Sequence, residues 1–169
     1  MVIGLNLCPF ATGVFRKGQV KFVVSEATDD EMLLADLVKE IDYLVNTSPE
    51  TTDTTLLIHP HVMSNFEDYI DFLDIAEAVI EEAELEGIIQ IASFHPDYQF
   101  FGTEKDDVTN YTNRSPYPIL HLLREESLSK AIDSHPDPEG IPEKNIELME
   151  RLGLEKVKDL QKSGLIDES

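Results

Sequence analysis

Residues 54–96 read TTLLIHPHVMSNFEDYIDFLDIAEAVIEEAELEGIIQIASFHP, and the periodicity of this stretch decides the fold class. Residues 54–59 and 88–93 are short apolar runs rich in β-branched side chains and bounded by polar or breaking residues, which predicts two strands. Between them, Ser64 and Glu67 form a capping-box pattern. Phe66, Tyr69, Ile70, Leu73, Ala76, Ile80 and Ala83 then recur at helical spacing. Gly87, for which a left-handed conformation costs little, marks the stop of that helix. Toward the N-terminus, residues 20–25 predict another strand, and Thr28 with Glu31 opens a helix over residues 29–46. Strand–helix–strand–helix–strand order implies parallel strands joined by right-handed crossovers.

Toward the C-terminus, residues 118–124 predict a fourth strand that can pair in either direction, because a helix would have to start straight after Pro116 and Pro118 without a good cap. Residues 127–133 read as a short helix. A Pro-rich breaker follows over 135–142, then two short helices over 143–152 and 155–162 separated by Gly153. The expected fold class is α/β: a small mixed sheet built from β-α-β-α-β plus a fourth strand, helices packed on the sheet, and short C-terminal helices. Residues 1–135 are expected to form a single core domain. Residues 136–169 are expected to be a helical appendage of the same domain, with few large apolar side chains of their own.

Composition excludes several classes of function. The chain has 169 residues, with 34 acidic against 13 basic, a net charge of -21 and 41% hydrophobic residues, enough for one buried core. No apolar run reaches the roughly 18 residues of a membrane span, so no membrane partner is expected. So acidic a surface repels phosphate backbones, and no nucleic acid is expected as a partner. The single Cys excludes an internal disulfide framework and, with no secretory pattern in the first ten residues, suits a cytoplasmic location. No repeat, Walker loop, dinucleotide fingerprint or nucleophile elbow is present.

The acidic residues are unevenly placed. Segments 1–25, 54–66, 87–96 and 108–124 hold no Asp or Glu in 65 residues and carry a net +5, which leaves -26 on the other 104. Four of the five His fall in these segments. Strands are commonly acid-poor, but strand composition does not account for the His. In open α/β sheets ligands bind beyond the carboxyl ends of the strands. The runs Ile58-His59-Pro60-His61 and Phe94-His95-Pro96-Asp97 therefore bring His59, His61 and His95 to one rim, and His59 and His61 share a face if the strand continues. Residues 94–117 form an unusually long connection with six of the chain's thirteen aromatics, a composition for a packed lid or pocket wall.

Each candidate has a bland reading beside the functional one. His59, His61 and His95 can act as catalytic acid or base near neutral pH, can bind a divalent metal together with Asp97, or can bond to backbone at strand ends. Asn110, Asn113 and Arg114 in the long loop, with Arg124 after the fourth strand, suit a carboxylate or phosphate, or pair with the surrounding acids. His121 shares its side of the strand with Ile119 and Leu123 and reads as a core His; His135 reads as surface. Cys8 reads as a small buried hydrophobe more readily than as a nucleophile, since no general base stands at a diagnostic spacing. Paired acids such as Asp29-Asp30 and Asp106-Asp107 read as solvated charge.

Three blocks are more specific: LNLCPFA at 5–11, SFHPDYQF at 93–100, and NYTNRSPYP at 110–118 followed by LHLLRE at 120–125. Together they resemble the signature blocks of an uncharacterised bacterial domain-of-unknown-function family, over most of residues 2–152. The resemblance implies no particular activity, and it implies more helix ahead of the first block. From the residues, the expected function is a hydrolase or group transferase acting on a small anionic substrate at a His/Arg/Asn pocket. The alternative is a non-catalytic binding or assembly protein with a structural His cluster, for which a homo-oligomer is compatible.

Overall fold

The computed structural model describes residues 1–163. Its elements run α1 (Ala11–Arg16), β1 (Val20–Val24), α2 (Asp30–Asn46), β2 (Thr54–Ile58), α3 (Phe66–Glu82), β3 (Ile89–Phe94), a 3-10 helix (Val108–Thr112), β4 (Ile119–Arg124), α4 (Glu125–Ser134), α5 (Ile141–Leu152) and α6 (Leu154–Ser163). The two long helices start one residue later than their Thr and Ser signals suggest. Asp29 Oδ1 accepts from Met32 N at 2.9 Å, and Asn65 Oδ1 accepts from Glu67 N at 2.8 Å, so Asp29 and Asn65 are the caps. α3 ends at Glu82, before Gly87, with Glu84 in the left-handed region at φ 55°.

The sheet is mixed, in the order β1-β2-β4-β3. β1 and β2 are parallel neighbours, as the β-α-β pattern predicts. β3 points the same way but is not beside them, because β4 lies antiparallel between β2 and β3. The long loop returns the chain to the end of the sheet where β3 leaves it, so the next strand must run backwards. Burial explains its central place: Leu120 and Leu122 are wholly buried.

One sheet face carries Leu57, Leu120, Leu122 and Ile89 under Leu33, Leu37, Leu44, Tyr69, Phe72 and Ala76 of α2 and α3, and this is the main core. On the other face Thr54 is buried, most positions of β2, β3 and β4 are partly covered, and Phe22 and Val24 of β1 are more than half exposed. His121 points to this second face. Its Nε2–H donates to Thr54 Oγ1 at 2.7 Å, and Thr54 passes its own proton to Leu122 O at 2.6 Å. Burial pushes the His121 pKa down to about 4.

A second, smaller apolar cluster unites Leu7, Tyr111, Met149 and Val157, so α5 and α6 pack on the N-terminal segment and the 3-10 helix. Met149 and Val157 are wholly buried there. Residues 164–169, the end of the expected C-terminal appendage, lie outside the described residues. Among the described residues no helix is long and apolar enough to cross a membrane.

Candidate functional site

Register sets the geometry of the sheet rim. Ile58 pairs with Ile119, and Ile119 pairs with Phe94, so one row crosses β2, β4 and β3, and His59 and His95 follow immediately beyond it. Both imidazoles turn inward and have no solvent exposure. His59 Nδ1–H donates to Val62 O at 3.2 Å, and His95 Nε2–H donates to Met63 O at 3.0 Å. His95 Nδ1 accepts from Asp97 N at 3.0 Å, which fixes it as the neutral Nε2–H tautomer. Met63 is in the left-handed region at φ 59°, an uncommon state for a residue with a Cβ. Two imidazoles on consecutive carbonyls hold the 60–63 turn in that conformation.

Tyr69 of α3 completes this clasp. Its ring lies 5.9 Å from that of His59 and 5.1 Å from that of His95. The hydroxyl donates to Ile119 O at 2.7 Å and accepts from Phe94 N at 3.1 Å, bridging β4 to β3 at the rim. Burial lowers the His59 pKa to about 4 and lowers that of His95, and it raises that of Tyr69. The three rings are therefore uncharged at neutral pH. Among the described residues, His59 Nε2 is buried with no hydrogen-bond partner.

His61 and Asp97 do not join this group. β2 stops at Ile58 and Pro60 follows, so the alternation that would put residues 59 and 61 on one face ends first. His61 stands in solvent 4.0 Å from Glu26 Oε2, and Asp97 is exposed. Among the described residues no three His, Cys, Asp or Glu side chains come together in a way that could hold a metal ion.

The polar residues of the long loop bind main chain. Asn110 is wholly buried; its Oδ1 accepts from Phe100 N at 3.0 Å and its Nδ2 donates to Glu104 O at 2.9 Å. Arg114 lies over the Tyr111 ring and donates to Tyr98 O at 3.0 Å and Lys105 O at 2.6 Å. Asn113 Nδ2 donates to Ser93 O at 3.1 Å. Arg124 donates to Leu44 O, Thr47 O and Thr52 O, covering the carbonyl end of α2. Most of the loop's aromatics pack, with Tyr98 between Phe66 and Phe100, whereas Phe101 is fully exposed.

A cavity of about 450 Å³ opens next to this loop. Leu7 and Cys8 line it from the N-terminal segment, Phe94 from the end of β3, Phe100 and Asn113 from the loop, and Asn145 from α5. Asn145 Nδ2 donates to Leu7 O at 2.8 Å and ties the two outer walls together. All three of the specific sequence blocks contribute to this wall. Cys8 is half-buried with a free thiol. Sequence reasoning missed Tyr69, which sits in a helical apolar stripe and shows no polar signal there. It also missed Asn145, whose contact spans 138 positions.

Residues 1–159 match the family described as protein of unknown function DUF1415, and the chain belongs to that family. No curated protein and no solved structure matches it.

Proposed function

We propose that this member of the DUF1415 family is a non-catalytic binding protein whose ligand site is the cavity between the N-terminal segment, the long loop and α5. One observation carries the reading: a cavity of about 450 Å³, in the size range of small-molecule sites, is walled by all three sequence blocks. The disposition of the polar residues supports it. His95, Asn110, Arg114 and Arg124 spend donors on main-chain carbonyls, so each is already occupied by the fold. Under this reading the His cluster is structural, and the single half-buried thiol suits a reducing cytosol.

The test is a fragment screen followed by amide NMR. Binders are expected to shift Phe94, Phe100, Asn113, Asn145 and Ile146. Shifts centred on His59, His61 and Arg114 would contradict the reading.

A second reading, a hydrolase or group transferase acting on a small anion, is favoured by the unpartnered His59 Nε2. It requires the 60–63 turn to move, because His59 has no solvent exposure. Its check is whether phosphate or carboxylate compounds stabilise the wild type more than a His59→Gln variant.

A further inference from the structure

We infer that the cavity selects an uncharged, largely apolar ligand carrying a hydroxyl or amide, and rejects carboxylates and phosphates; this rests on the binding reading above and names its ligand class. The first ground is charge. In a chain in which 28% of residues are Asp, Glu, Lys or Arg, the thirteen described residues that line the cavity include none of these and no His. An ionised ligand entering it would lose hydration without meeting an opposite charge, which costs far more than burying a neutral polar group. The net charge of -21 also repels anions at long range.

The second ground is hydrogen-bond capacity. The lining hydroxyl protons are already committed: Thr103 to Phe100 O at 2.8 Å, Thr109 to Asp107 Oδ1 at 2.7 Å, and Thr112 to Thr109 O at 3.0 Å. Asn113 and Asn145 each give one N–H to a carbonyl, to Ser93 O and Leu7 O, which leaves each a single N–H. The hydroxyl lone pairs and the Asn145 carbonyl remain as acceptors. An anion needs several donors and finds, among the lining side chains, two neutral amide N–H groups and the weak S–H of Cys8. A hydroxyl or amide on an apolar body finds acceptors in excess and a wall of Leu7, Phe94, Phe100 and Ile141.

The chain's only cysteine lines this cavity, so its alkylation rate reports occupancy. The probes are 1-naphthol, 1-naphthoate and 1-naphthyl phosphate, which share one ring body and differ in charge. Iodoacetamide labelling of Cys8, followed by mass spectrometry, is expected to slow roughly fivefold when 1-naphthol fills about four-fifths of the sites. The two anions are expected to leave the rate unchanged at equal concentration. If Cys8 reacts too slowly to time, the side-chain amide signals of Asn113 and Asn145 give the same readout. Ile146→Trp, at an exposed position on the cavity wall, should abolish the naphthol effect while leaving the fold intact. Equal or better protection by either anion overturns the ligand class but leaves a binding cavity. No effect from any of the three overturns the binding reading and this inference with it.

Discussion

The Tyr69 hydroxyl touches β3 and β4 at once, and that single atom joins the end of β3, from which His95 emerges, to the start of β4, which pairs with the β2 end that leads to His59. Tyr69→Phe removes it without changing the ring, leaving Ile119 O and Phe94 N short of a partner. Each such group costs about 1–3 kcal/mol when buried, so a loss of roughly 2–4 kcal/mol is expected in urea unfolding. The His residues make a second prediction. His59 and His121 have folded pKa values of about 4 against about 6.5 in an unfolded chain. Well above pH 6.5 both states are neutral there. As pH falls toward 4 the unfolded state takes up protons that the folded state refuses, so stability drops across that window. The drop is on the order of 3 kcal/mol for each group, and His95 adds to it in the same direction. Unfolding free energies measured from pH 7 to pH 4.5 should fall, and His121→Gln should shallow the slope. The rim position of His59 and His95 was legible from strand ends alone. Their role was not, because it depends on a left-handed Met63 whose carbonyl direction no local pattern reveals.

At the scale of elements, Arg124 and Asn110 fasten pieces that the chain leaves far apart. Arg124 crosses from the end of β4 to three carbonyls, one in the last turn of α2 and two after it, which suits a planar fork with several donors. Arg124→Met keeps the stem and removes the donors; a loss of about 2 kcal/mol in thermal or urea unfolding is expected, with Arg124→Lys recovering only part. Asn110 fastens the long loop to itself at Phe100 and Glu104. Asn110→Ala should therefore raise the rate of limited proteolysis within residues 99–106 severalfold while the core stays resistant. Both helices and all four strands were legible from periodicity, and the capping signals erred by one residue because Thr28-Asp29 and Ser64-Asn65 each offer two competent caps. The insertion of β4 between β2 and β3 was not legible. Local sequence identifies a strand, whereas its neighbours are chosen by which strand is most fully buried.

Across the whole molecule, the acid-free segments supply all of β1, β2, β3 and β4, the N-terminal wall of the cavity and much of the long loop. That distribution was visible in the chain, and it located the rim and the loop wall. It did not reveal that Arg114 and Arg124 turn to main-chain carbonyls, since a guanidinium serves an anion and a carbonyl equally well and only the closed loop decides between them. Ring-nitrogen NMR separates a buried clasp at the sheet rim from a reactive one most directly. Long-range proton–nitrogen spectra of the imidazoles should be recorded from pH 8 to pH 5, with and without phosphate and zinc. The expected result is His95 in the Nε2–H form with any midpoint below 6.5, His59 in the Nδ1–H form and not titrating in that range, and neither ring responding to either ion. A midpoint near 6.5 for either ring, or a shift of either on adding phosphate or zinc, would contradict the clasp and return the reactive site to the rim of the sheet.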